Sequence, residues 1–193
     1  MVRHDINKVI SVGQELFQSQ GYFNTGTEEI LEKSSYPRSS FYYHFKSKEG
    51  FASRVLEQYG DSAAEFYNSL LFDNPDLSPM ERLEGLAETM ADTAVEREFK
   101  TECLVQKLSI ECAGFIEVLR ISTDRQLNKI LTVLEACIKE GQQHGEIRTD
   151  IDSMEMAGML QSQIYGAFIL GRLSNDGEGM KRNIKRVLDY IRI

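Results

Sequence analysis

The 193-residue chain is poor in most of what marks an enzyme or a membrane protein. It has three histidines, His4, His44 and His144, scattered without metal-ligand spacing, so no metal site is expected. Its three cysteines, Cys103, Cys112 and Cys137, form no CxxC and no paired framework, which points to reduced thiols rather than a disulfide scaffold. A Gly-rich phosphate loop and a nucleophile elbow are both absent, so neither catalysis nor a cofactor is expected. No run of about 18 uncharged apolar residues exists, which excludes a spanning helix. The opening MVRHDINKVI lacks a hydrophobic signal core, and the expected location is the cytoplasm. Only three prolines occur, Pro37, Pro75 and Pro79, so long uninterrupted helices are allowed over the rest of the chain. The length suits one domain or two small ones, and 41% hydrophobic residues can fill a sizeable core.

What is present is concentrated in residues 21–50, GYFNTGTEEILEKSSYPRSSFYYHFKSKEG. Thr25 and Glu28 have the spacing of a capping box, so a helix is expected over about residues 26–34, with Ile30 and Leu31 inward. Pro37 pushes Tyr36 out of the α region and suits the first turn of a second helix, about Arg38 to Phe45. On that helix Phe41 and Phe45, four apart, can anchor inward, while Arg38, Ser39, Ser40, Tyr42, Tyr43 and His44 offer hydrogen-bonding groups outward. From Lys33 to Lys48 there are four Lys/Arg and no acid. Two short helices around a tight turn, the second aromatic and basic, have the layout of a helix-turn-helix that reads the DNA major groove. Thr25, Thr27 and Lys48 are then candidates for phosphate contacts.

Charge is divided along the chain. Residues 1–60 hold seven Lys/Arg and seven Asp/Glu, so the remainder carries the whole net charge of −8. An acidic body repels DNA, whereas a neutral head with a basic tip can approach it.

SFYYHFKSKEGF, GYFNTGTEEILEKSS and VGQELFQSQGY (residues 12–22) resemble the N-terminal signature of the TetR/AcrR regulators, over about residues 8–55. One departure is Ser35-Tyr36, where that family often has Gly and a small apolar residue. The resemblance implies an all-α protein: a three-helix DNA-binding head, residues 1–46, and a helical ligand-sensing and dimerisation body, residues 47–193, with the helix from Ser47 as connector. It implies a homodimer on a palindromic operator, acting as a repressor released by a small molecule or an electrophile. An all-helical interaction protein without DNA binding is the alternative outside that class.

The rest of the chain reads as helices throughout. The first is expected over Asp5 to Ser19 and the fourth from Ser47 to about Leu70. Ser78-Pro79-Met80-Glu81 combines an N-cap, a first-turn proline and a capping glutamate. From Thr101 to Gly145 the pattern stays helical, with a break near Gly114. Asp152 caps a helix to about Leu173 that is apolar nearly all round, and a last helix from Glu178 carries Ile184, Val187, Leu188 and Ile191 on one stripe. Gly158, Tyr165, Gly166 and Phe168 on the former, with that stripe on the latter, are expected at a four-helix dimer interface; an intrachain core is the other reading.

Lys100 and Lys107 lie three before and four after Cys103, so on one helix both would share its face and favour thiolate, against Glu102 and Glu111. CLVQKL, LEACIKEGQQHGEI and YGAFILGRL resemble the body of the NemR-like branch of the same family, which implies detection of electrophiles or oxidants at Cys103. Arg172 stands where that branch has a lysine, and a guanidinium stays protonated. Two other readings stand beside it: cysteines as small buried hydrophobes, and a noncovalent ligand in a pocket lined by Met and aromatic residues.

Overall fold

The computed structural model describes residues 5–100 and 102–193. His4 and Thr101, the latter marking the expected start of a helical stretch, lie outside the described residues. Among those described there are nine helices: α1 (Ile6–Gln20), α2 (Thr27–Ser34), α3 (Arg38–Phe45), α4 (Lys48–Phe72), α5 (Pro79–Glu96), α6 (Leu104–Cys112), α7 (Glu117–Gln143), α8 (Ser153–Ser174) and α9 (Gly177–Ile191). A single bridge, Ile147 to Arg192, is the one extended pairing among them. The fold is all-α.

Local chemistry sets the ends of these helices. Asp5 caps α1 by accepting from the amides of Asn7 and Lys8. The capping box at Ser78 and Glu81 forms in both directions, with Pro79 in the first turn of α5. Asp152 caps α8, and Asp176 caps α9 by accepting from the Gly179 amide. The box expected at Thr25 and Glu28 does not form. Gly26 is the N-cap of α2 without a side-chain bond; Thr25 is buried and its hydroxyl donates to the Gly21 carbonyl at 2.6 Å. Glu28 instead faces Arg38.

Ser35 closes α2 in the left-handed region, φ 55°, with its amide and that of Tyr36 returning to the Glu32 and Leu31 carbonyls. A left-handed Cβ costs energy that glycine avoids. Ser35→Gly is therefore expected to raise stability by about 0.5–1 kcal/mol after glycine's own entropy cost, read as a higher urea midpoint with an unchanged slope.

Packing divides the chain into two compact units: residues up to Asp61 with Glu102–Leu127, and Ser62–Thr101 with Asn128–Ile193. By packing, α6 and the start of α7 thus join the head residues, whereas the sequence division at 46/47 is one of roles.

In the first unit Phe41, Phe45 and Phe51 meet at ring-centroid distances of 4.9 to 5.1 Å, with Phe17 at 6.1 Å from Phe51. This cluster fixes α3 by its inner face. Glu111 of α6 reaches the end of α1, where its carboxylate accepts from the Tyr22 amide at 2.7 Å. Gly21 permits that approach: its φ is +84°, and a Cβ there would lie 2.3 Å from the Glu111 Oε1.

The second unit encloses Tyr67, Leu83, Leu86, Leu134, Leu160 and Ile184 with their neighbours. Ile184, Leu188 and Ile191 are fully buried in this core, and Val187 packs against it. The α9 stripe expected at a dimer interface is thus consumed within the chain, because α5 and α8 cover it. Gly171 likewise serves an internal contact, with the Phe99 ring where its Cβ would lie.

Candidate nucleic-acid interface

Pro37 at the N-cap starts α3, and the buried Phe41 and Phe45 orient it. Arg38, Ser39, Tyr42, Tyr43 and His44 consequently face outward, with Ser40 half-buried and Tyr43 73% exposed. Among these residues the Arg38 guanidinium lies 5.6 Å from the Tyr42 ring centroid and pairs with Glu28. His44 Nδ1 donates to the Ser40 carbonyl at 2.7 Å and lies 3.2 Å from the Tyr36 hydroxyl. Lys46 donates to the Tyr43 carbonyl at 2.7 Å.

The charge of this tip is quieter than the sequence suggests. Glu28 and Glu29 precede the acid-free stretch in sequence but fold beside it: Glu29 pairs with Lys33 at 2.9 Å, and Glu28 with Arg38. Such exposed pairs hold at most about 1 kcal/mol, so a phosphate or a guanine edge displaces them at little cost.

Two of the three phosphate candidates are placed differently from expectation. Thr25 is turned inward, as above. The Lys48 ammonium donates to the Tyr22 carbonyl at 2.6 Å and covers the Tyr22 ring at 4.1 Å; burial holds its pKa below the ordinary lysine value. Lys48 therefore ties the α1–α2 turn to the start of α4. Thr27 is half-buried in the first turn of α2.

An exposed polar and basic helix on an inward aromatic anchor has the layout that DNA readers lay in the major groove. Residues 9–55 match the family description "Bacterial regulatory proteins, tetR family", and residues 79–187, more than half of the chain, match "Tetracyclin repressor-like, C-terminal domain". The chain belongs to the TetR family. It is 25% identical to the HTH-type transcriptional repressor DhaR of Mycobacterium sp. (strain GP1), over 95% of this chain and 90% of that one. It is 22% identical to the HTH-type transcriptional repressor NemR of Escherichia coli (strain K12), over 97% and 94%. The crystal structure of reduced E. coli NemR superposes with a TM-score of 0.84 at 21% identity, covering 97% of this chain and 96% of that one. TetR regulators bind DNA operators, function as dimers and are generally transcription factors without enzymatic activity. This TetR-family protein is accordingly a DNA-binding transcriptional regulator. No helix among its described residues is long and apolar enough to cross a membrane.

The sensing residues do not assemble as the helical spacing suggests. Cys103 is the N-cap of α6, and Lys100 stands beyond the end of α5, so the two do not share a helix face. Lys100 pairs with Glu98, and its carbonyl lies 3.5 Å from Arg172 Nη2. Lys107 is held by Glu102 at 3.0 Å, both side chains largely buried, so its charge is already compensated. All three cysteines are thiols. Burial pushes Cys112 up to about 11 and Cys137 up to about 12, and both are fully buried, whereas Cys103 is half-buried.

Towards its C-terminal end α8 presents apolar side chains to the outside: Ile169, Leu170 and Leu173 are exposed, Leu173 at 80%. Tyr165 is half-buried, whereas Phe168, expected at the same interface, packs against the core with its ring 5.9 Å from that of Phe99. Besides the adjoining residues and the helix's own backbone, a methyl group at Gly158 or Gly166 would meet nothing of the described protomer within 4 Å.

Sequence reasoning missed the long-range partners: Glu28 for Arg38, Glu111 for the Tyr22 amide, and a buried Tyr67–Gln161 contact in the second unit.

Proposed function

We propose that the protein is a cytoplasmic repressor that binds a palindromic operator as a homodimer and leaves it when a small molecule binds its body. The observation that carries this is the outward face of α3, Arg38, Ser39, Tyr42 and Tyr43, held by the phenylalanine cluster. Base edges are read by that face, with Ser40 and His44 at its margin, and Thr27 meets a phosphate at the start of α2. Residues 1–46 are the reading head and residues 47–193 the sensing and dimerisation part. The two-fold contact is made by the open face of α8, where Gly158 and Gly166 admit a second helix beside Tyr165 and Ile169. Two relatives carry the word repressor in their names, which supports the sign of regulation. The test is fluorescence anisotropy on operator DNA against salt: neutralised phosphates make log K fall linearly with log salt.

A second reading of the signal is favoured by one observation: of the three thiols, Cys103 is the one not fully buried. Thiolate is the reactive form, and the raised values of Cys112 and Cys137 keep them protonated at neutral pH. Iodoacetamide at roughly neutral pH is expected to label Cys103 first, with Cys112 and Cys137 labelled only on unfolding. If Cys103 labels no faster than Cys137, or if Cys103→Ser is still released by quinones, the thiol reading is wrong.

A further inference from the structure

The second unit holds a polar contact in the middle of its apolar core. Tyr67 of α4 and Gln161 of α8 are both buried, Gln161 to 2% exposure. The Tyr67 hydroxyl donates to Gln161 Oε1 at 3.1 Å and lies 3.3 Å from the Met90 sulfur of α5. That bond points the other end of the amide away from the tyrosine. Gln161 Nε2 is fully shielded from solvent and has no hydrogen-bond partner among the described residues. An amide N–H left in this state costs stability, because its water is lost and nothing replaces it.

The surroundings suit a guest. On the helices that carry this contact, Ala63, Ala87, Ala91 and Ala157 belong to the same core, together with Met90 and Met156. Alanines leave little volume to displace, and thioether side chains re-pack without a fixed rotamer. The charge available is also restrictive. Among the described residues the buried charged side chain of this unit is Arg82: its Nη1 donates to the Leu71 carbonyl at 2.8 Å and its Nη2 pairs with Glu140, which compensates its charge, while its Nε has no partner. An ionised ligand would lose its hydration and find no uncompensated charge, since Arg82 is already paired with Glu140.

We infer that Gln161 and Tyr67 form the polar end of a binding site for a neutral, largely apolar small molecule bearing one carbonyl-type acceptor, which accepts from Gln161 Nε2. This deepens the proposed function by naming the chemical class of effector, and it rests on that reading only for the effect on DNA.

Three aromatic probes of similar size test it by calorimetry on the full-length protein: acetophenone, which carries the carbonyl; ethylbenzene, which lacks it; and benzoate, which is charged. The expected result is binding of acetophenone, none of benzoate, and a ratio of acetophenone to ethylbenzene affinity that falls about fivefold in Gln161→Met. Tyr67→Phe, which releases the amide from its fixed orientation, lowers the same ratio and serves if Gln161→Met does not fold. No acetophenone binding by the parent, benzoate binding as tightly as acetophenone, or an unchanged ratio in the variants overturns the inference. Operator release is followed separately by anisotropy. Gln161-dependent ketone binding without release would sink the release reading and leave the site standing. Equal release of the parent and Gln161→Met by the ketone would sink the site and leave the release reading.

Discussion

Gly166→Leu is expected to leave each protomer folded and to break the dimer. Within one protomer a Cβ at Gly166 would meet nothing within 4 Å besides the adjoining residues and the helix's own backbone, so the first carbon of a leucine is accommodated there. Across a two-fold axis the same leucine is forced twice into a close helix contact. Overfilling costs about 1–3 kcal/mol per site, or roughly 2–6 kcal/mol for the symmetric pair, which raises the dimer dissociation constant by roughly 30-fold to 10⁴-fold. Light scattering would show monomer at concentrations where the parent is dimeric, with helical circular dichroism unchanged. Operator affinity would fall with it, since one head holds only one half-site. A variant that unfolds, or one that stays dimeric, would mean that the open α8 face is not the contact.

Arg38→Ala and Tyr42→Ala are expected to lose operator binding while retaining the fold. Both side chains are exposed and neither belongs to the phenylalanine anchor. A good base contact is worth about 1–3 kcal/mol of discrimination, so each variant should bind its operator roughly 5- to 150-fold more weakly. Binding to random DNA should change much less for Tyr42→Ala than for Arg38→Ala, because only the latter removes a charge. Phe41→Ala makes the contrast: it empties the anchor at about 3–5 kcal/mol and should lower stability before it lowers specificity.

How far the sequence could be read depended on the range of the interactions involved. Helix α3 was legible to the residue, since Pro37 and the Phe41/Phe45 pair are local signals. The caps at Ser78 and Asp152 were legible for the same reason. Thr25 misled because a hydroxyl at capping distance can also turn back to the preceding turn, and the Gly21 carbonyl took it. Helical spacing does not carry from Lys100 to Cys103, because α5 has ended before them, and Glu98 and Phe99 take left-handed φ values of 51° and 53°. The α9 stripe was a correct amphipathic pattern with an ambiguous partner: periodicity shows which face is buried and never against what. Tyr67 and Gln161 lie 94 positions apart, and no periodicity links them.

The central claim is that the outward face of α3 reads DNA sequence. It is tested most directly by titrating the parent, Arg38→Ala and Tyr42→Ala onto the DNA upstream of its own coding region, against a scrambled duplex of equal length, at two salt concentrations. The account predicts tight binding of the parent to the upstream duplex, preference over the scrambled one that survives at higher salt, and loss of that preference in both variants. Equal binding of parent and variants to the upstream duplex, or no preference by the parent, would contradict it.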